Sequence, residues 1–338
     1  MKTIGVFMIA MTVVVSGQVG RAQGIVYEGK EGAGKGKHIV LISGDEEYRS
    51  EEGLPMLGKI LAVRHGFKCT VLFAVNPTTG DIEPNEQVNI PGLKALESAD
   101  VMFMLLRFRE PADDQMKYIA DFVESGKPII GLRTSTHAFA YGRNKQSPYA
   151  KYDWGKGGGF GQKILGDTWI SHHGGHGSQS ARGIINPEYK DHPVLKGVTD
   201  IWGPSDVYGI KNLKPTDQVL VHGQVIAGMK PTDPPVVGKQ NEPMMPLVWI
   251  REGDTWLGDA ASAAGKKRRA LCTTMGASVD LESEGLRRLL VNACYWAVGL
   301  ENKIPANANV DYVGEYKPTF FGFGKGKKGV KPSDHELK

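Results

Sequence analysis

The chain has 338 residues, 41% of them hydrophobic and 23% charged, with a formal net charge of +4 at pH 7. That composition suits a protein that buries an ordinary core, and so small a charge gives no reason to invoke nucleic acid. Three cysteines (Cys69, Cys272 and Cys294) lie in apolar contexts without CxxC or Cys/His spacing, which argues against a disulfide framework and a cysteine zinc site.

The first residues read as an export signal. Met1-Lys2 supplies the positive end and Ile4 to Val15 the apolar stretch. Gly20-Arg21-Ala22 or Ala22-Gln23-Gly24 offers a small-residue cleavage site. The stretch is short for a membrane span, so residues 1–24 are expected to be a signal peptide, the mature chain periplasmic or secreted, and no stable membrane insertion to remain. Residues 25–37, rich in Gly and Lys, read as a flexible leader.

His38 to Ser43 reads as the first buried strand, ending in the polar turn Gly44-Asp45-Glu46-Glu47-Tyr48. Ser50 precedes a helix with Leu54, Leu57, Ile60 and Leu61 on one face and Gly66 at its end. Cys69 to Val75 is the second strand, Leu93 to Ala99 a short helix, and Val101 to Leu106 the third strand, which ends in Arg107-Phe108-Arg109. Asp113 is placed to cap a helix carrying Met116, Ile119, Phe122 and Val123, closed by Gly126. The fourth strand, Pro128 to Leu132, breaks abruptly into Arg133-Thr134-Ser135-Thr136-His137, with a helix expected to begin near Thr134. Strands alternating with helices at this spacing imply βαβ units and a parallel sheet.

From Tyr141 to Gly183 the periodicity dissolves into a long loop carrying Ser171-His172-His173-Gly174-Gly175-His176-Gly177. Short strands follow near 219–221, 247–250 and 269–273, then a helix from Ser283 to Val298 with Leu286, Leu289 and Leu290 on its core face. Residues 303–338 read as an extended basic tail.

The carboxyl ends of parallel strands share one edge, where such sheets bind ligands. Asp45, Glu46, Glu47, Arg107, Arg109, Arg133, Ser135 and His137 would gather there. Carboxylates and guanidinium groups in one cleft suit a polyhydroxylated or anionic ligand. Mutual ion pairing of the same charges is the competing expectation. His172, His173 and His176 could bring an imidazole to a substrate; as a divalent-metal set they are a weak signal, and no cofactor is expected. Ser135 lacks the flanking glycines of a nucleophile elbow.

Three stretches, GKPIIGLRTSTHAF, DHPVLKGV…WGPSDVYGI and PLVWIREG…RALCTTMGASVDLESEGLRRLLVNACYWAVG, together resemble the ThuA-like (trehalose-utilisation) family. That family belongs to the class I glutamine amidotransferase-like superfamily. The resemblance spans about residues 38 to 300. It implies a single 38–302 domain with a flavodoxin-like, doubly wound parallel α/β sheet and long inserted loops. Where amidotransferases carry a nucleophilic Cys this chain has Arg133, and Met275-Gly276-Ala277-Ser278 occupies the region of the usual His, so glutamine hydrolysis is not implied. Asp206 and Tyr208 resemble the family's Asp-Glu-x-Tyr element, with Val207 in place of the Glu. The family's tie to disaccharide and keto-sugar catabolism implies a small carbohydrate ligand. On this reading Arg133 fixes the ligand, helped by the N-terminus of the helix expected near Thr134, and Arg107, Arg109, Glu46, Glu47, Ser135 and Tyr208 also bind it. His137, His172, His173 or His176 then moves a proton, and Asp45 or Asp206 accepts hydroxyls or acts as base. The alternatives are a non-catalytic carbohydrate- or anion-binding domain and an interaction protein. A homo-oligomer is compatible with all three.

Overall fold

The computed structural model describes residues 24–253 and 268–337; the expected signal peptide falls almost wholly within residues 1–23, outside the described residues. Ten strands form one mixed sheet. In chain order they are β1 (Ile25–Tyr27), β2 (His38–Gly44), β3 (Lys68–Phe73), β4 (Val101–Leu106), β5 (Ile129–Leu132), β6 (Ser180–Ile185), β7 (Ile201–Gly203), β8 (Gln218–Ile226), β9 (Met245–Gly253) and β10 (Arg268–Thr273). The spatial order is β1-β3-β2-β4-β5-β10-β9-β8-β6-β7. The run β3-β2-β4-β5-β10 is parallel throughout. Numbered among themselves these five strands have the order 2-1-3-4-5, which is flavodoxin-like.

Alternation along the strands builds two cores. Ile39 and Leu41 of β2 face one side and Val40 and Ile42 the other, as successive side chains on a strand must. Helices α1 (Ser50–His65) and α3 (Glu284–Ala297) cover the first side. Leu54, Leu57, Ile60 and Leu61 of α1 are fully buried there with Leu286, Leu289 and Leu290 of α3. Each such side chain contributes roughly 2 kcal/mol by leaving water. Helix α2 (Asp113–Glu124) covers the other side with Met116, Ile119, Phe122 and Val123. Gly66 ends α1 at φ 80°; its N–H donates to the freed carbonyl of Ala62 and the next N–H, that of Phe67, to that of Leu61, a turn that glycine enters without steric cost. Ser283 caps α3 by accepting from the Leu286 N–H at 3.2 Å.

Several expectations are corrected. Residues 25–27 are not part of a flexible leader: β1 pairs antiparallel with β3, and the Tyr27 hydroxyl donates to the His335 carbonyl at 2.7 Å. Asp113 does not cap α2; Ala112 is the capping residue, and the Asp113 carboxylate accepts from Ser147 Oγ at 2.6 Å. The helix expected near Thr134 is a five-residue 3₁₀ turn, Arg133–His137. The sheet is not wholly parallel, because β6, β7, β8 and β9 extend it antiparallel. The basic tail is extended, yet it lies on the body: Ile304, Val310 and Phe321 are buried, and Val330 accepts from the Ile82 N–H at 2.7 Å. No helix among the described residues is long and apolar enough to cross a membrane.

Candidate functional site

Three parallel strands end in a non-glycine residue with positive φ close behind: Arg49 (57°) after β2, Phe108 (49°) after β4 and Arg133 (41°) after β5. Bulky residues in this region are strained, and such strain tends to gather at working sites. All three lie at the carboxyl edge, around the point between β2 and β4 where the strand order reverses.

Most of the strand-end charges are consumed by one another or by the backbone. Asp45, fully buried, accepts from the N–H groups of Glu47 and Tyr48 at 2.7 and 2.5 Å and from the Thr134 hydroxyl. Glu46 pairs with both Arg107 and Arg109. Arg109, also fully buried, donates further to the carbonyls of Pro84, Glu86 and Arg107. Ser135 bridges the turn to β4, donating to the Met104 carbonyl at 2.9 Å and accepting from the Leu106 N–H at 3.3 Å. Asp45, Arg109 and Ser135 therefore hold the edge together and present nothing to a ligand. His137 is buried among Phe108, Trp169 and Tyr208. Burial, with Arg107 and Arg133 nearby, holds its pKa well below the ordinary value, so it is a neutral ring in an aromatic wall.

Arg133 is the buried centre. Its guanidinium lies 4.1 Å from the Tyr48 ring centroid and 4.3 Å from that of Tyr208. It donates to the carbonyls of Asp206 (2.9 Å) and Thr274 (2.6 Å), to the Tyr48 hydroxyl (3.0 Å) and to Asp206 Oδ1 (2.7 Å). Arg133, expected to fix a ligand, has its terminal nitrogens on protein groups and its side chain fully buried.

Asp206 carries the arrangement to the surface. His172 Nδ1 lies 2.8 Å from Asp206 Oδ2, and His176 Nδ1 lies 3.2 Å from Oδ1. Both imidazoles are partly open, with side chains 38% and 35% exposed, while Asp206 is fully buried. Burial alone would favour the protonated carboxyl. Arg133 and the hydrogen bonds from His172 and His176 overcome it and hold Asp206 well below the usual carboxylate range. His176 Nε2 reaches Glu47 Oε1 at 3.1 Å. The bond to Asp206 is the main cause that raises the His176 pKa above its ordinary value, with Glu47 adding. Burial and Asp45 push Glu47 upward against the pull of Arg107.

The loop bearing these imidazoles is tied down by backbone. The N–H groups of His173 and Gly174 donate to the Val207 carbonyl at 2.8 and 3.1 Å, and His172 bridges to Tyr208. A Cβ on Gly174 would come 3.3 Å from that of Asp206, so glycine lets the chain lie close against the carboxylate. His173 points elsewhere, its Nε2 meeting the Gln240 carbonyl at 2.8 Å. It leaves the group that His172 and His176 form, whose ring centroids are 4.7 Å apart.

Aromatic residues frame the opening. Trp169 and Tyr208 stand edge-on to His172. From the tail, Phe321 packs against Tyr48 and His176, with centroids 5.3 and 5.5 Å away. Arg107 lies between Phe108 and the exposed Phe323. Tyr48, Trp169, Phe321 and Phe323 were absent from the expected site. The cluster Phe320-Phe321-Gly322-Phe323 in a polar tail was a signal that could have pointed to it.

No family model and no curated protein matches the sequence. A solved structure described as a ThuA-like protein from Parabacteroides merdae aligns with a TM-score of 0.50 at 13% identity, over 85% of this chain and 97% of that one. Another so described, from Bacteroides uniformis, aligns with 0.46 at 14% identity, over 80% and 95%. The chain has the α/β, flavodoxin-like fold of the ThuA-like proteins.

Proposed function

We propose that the chain is an exported ThuA-like enzyme that exchanges a proton with a sugar derivative at His172, His176 and Asp206. One observation carries the reading: two partly exposed imidazoles share a single buried, ionised carboxylate. A carboxylate only accepts, so His172 Nδ1 donates to it, and in the neutral ring Nε2 keeps its lone pair. That nitrogen has no hydrogen-bond partner among the described residues. His176 sits between two carboxylates and is the better proton donor. A base and an acid side by side suit abstraction of a proton beside a carbonyl and its return elsewhere, as in isomerising or cleaving a keto-sugar. Such transfer is worth on the order of a hundredfold or more in rate. The aromatic frame offers apolar faces for the C–H side of a sugar ring, and Arg107 and Glu47 serve its hydroxyls. Glutamine hydrolysis is not proposed, because Arg133 follows β5 and a guanidinium has no lone pair for attack.

The test is turnover of disaccharides and their 3-keto derivatives by purified chain, followed by proton exchange into solvent deuterium. Loss of on the order of a hundredfold in kcat in His172→Ala, with folding intact, is expected. Saturable sugar binding in calorimetry with neither product nor exchange would leave a carbohydrate-binding domain instead.

A further inference from the structure

We propose that His172, His176 and Asp206 form a binding site for one first-row divalent transition-metal cation. The proposal deepens the reading of this cluster as the functional centre and rests on it. One ligand atom from each residue lies within 4.8 Å of the others, and among the described residues this is the one such group of three. The imidazole nitrogens stand 2.8 and 3.2 Å from the carboxylate oxygens. Neighbouring ligands of an ion with bonds of about 2.1 Å are separated by roughly 3 Å, so the set, now within 4.8 Å, closes on an ion with side-chain shifts on the order of 1–2 Å.

The groups behind the three residues supply the independent observation. A metal-bound imidazole usually holds its other nitrogen on a carboxylate or carbonyl. His176 does this, with Nε2 3.1 Å from Glu47 Oε1. A metal-bound carboxylate is itself oriented by hydrogen bonds. Arg133 does that at 2.7 Å on Oδ1, leaving Oδ2 toward His172. The start of the loop is held by the backbone bonds of His173 and Gly174 to Val207 and by the His172–Tyr208 bridge.

Two imidazoles and one carboxylate, open on one side, are a donor set that suits zinc or ferrous iron, with manganese and nickel also accommodated. The open side leaves room for water or a substrate oxygen. The ion would replace the two Nδ1 protons, so binding releases protons and weakens as pH falls. Water on the ion, rather than His172 Nε2, would then be the nearest base.

The experiment is calorimetric titration of untagged chain, sugar-free and stripped with chelator, with zinc chloride and separately with manganese chloride. Metal content after dialysis is read by plasma emission. One ion per chain is expected. His172→Ala and His176→Ala should each weaken binding at least a hundredfold while melting as cooperatively as the parent. Glu47→Gln should weaken it about 10–100-fold. His173→Ala should bind as the parent does, because that ring faces Gln240. Two results overturn the proposal: no saturable one-to-one binding by the folded parent chain, or a loss in His173→Ala equal to that in His172→Ala, which would mark mere attraction to a His-rich loop. Sugar turnover that persists in chelator, by chain that binds no metal, removes the ion and leaves the proposed function standing.

Discussion

Two polar regions meet at Asp206 and behave oppositely. Inward, Arg133 is buried between Tyr48 and Tyr208 with its terminal nitrogens bonded to protein. Outward, His172 is anchored by Nδ1 alone and His176 by Nδ1 on Asp206 and Nε2 on Glu47, and both rings are partly exposed. The inward region has exhausted nearly all its hydrogen-bonding capacity, so it sets shape. The outward region keeps capacity to spare, so it is where a ligand can be met. Charge alone does not separate them; saturation does.

The sharpest break comes at Arg133. Removing one partner of a buried ion pair costs about 3–5 kcal/mol, because the other charge is left uncompensated. Arg133→Met should therefore lower the melting temperature by roughly 10 °C, measured by calorimetry at pH 7. A shift under about 2 °C would move Arg133 from architecture to the open region.

Acid should loosen the rim before the centre. His335, in the tail that carries Phe321 and Phe323, stacks on Phe73 with its Nε2 buried and unpartnered. Burial, followed by the charge of Lys59, lowers its pKa from 6.5 to about 4. Between those values the unfolded chain binds a proton that the folded one refuses, so stability falls as pH drops from 6.5 to about 4. The loss is at most about 3 kcal/mol. Protease cutting within residues 318–337 should rise across that window, and His335→Phe should flatten the response. An unchanged pH profile in that variant would count against His335 as the anchor.

The smallest effect is expected at His172. Its ring is partly exposed and Asp206 keeps Arg133 and His176 as partners, so His172→Ala should cost about 1–2 kcal/mol, less than Arg133→Met, read from urea unfolding. Melting behaviour close to that of Arg133→Met would erase the contrast between the two regions.

The parallel half of the sheet was legible because its signals are local. The expected strand from His38 to Ser43 is β2, ending one residue later, and Val101 to Leu106 is β4 without change. Strand β1 was not legible: three residues cannot show a period, and only pairing with β3 makes them a strand. Strand β6 hid in a stretch with no clear alternation, where its neighbours β7 and β8 supply the order. At the candidate site, His172, His176, Asp206, Glu47 and Arg107 were named from sequence and do converge. Asp45, Arg109, Arg133, Ser135 and His137 were named on the same grounds and turned inward.

By itself the sequence determined the parallel strands, the helices that cover them, and the edge at which polar residues would gather, since apolar period and turn residues act over a few positions. Tertiary structure alone decided which of those polar residues remain open. Arg133 is quenched by carbonyls 73 and 141 residues away, and Phe321 reaches His176 from the far end of the chain. A side chain's remaining capacity to bond depends on what else fills its surroundings, and here those neighbours are brought in by the winding of the sheet.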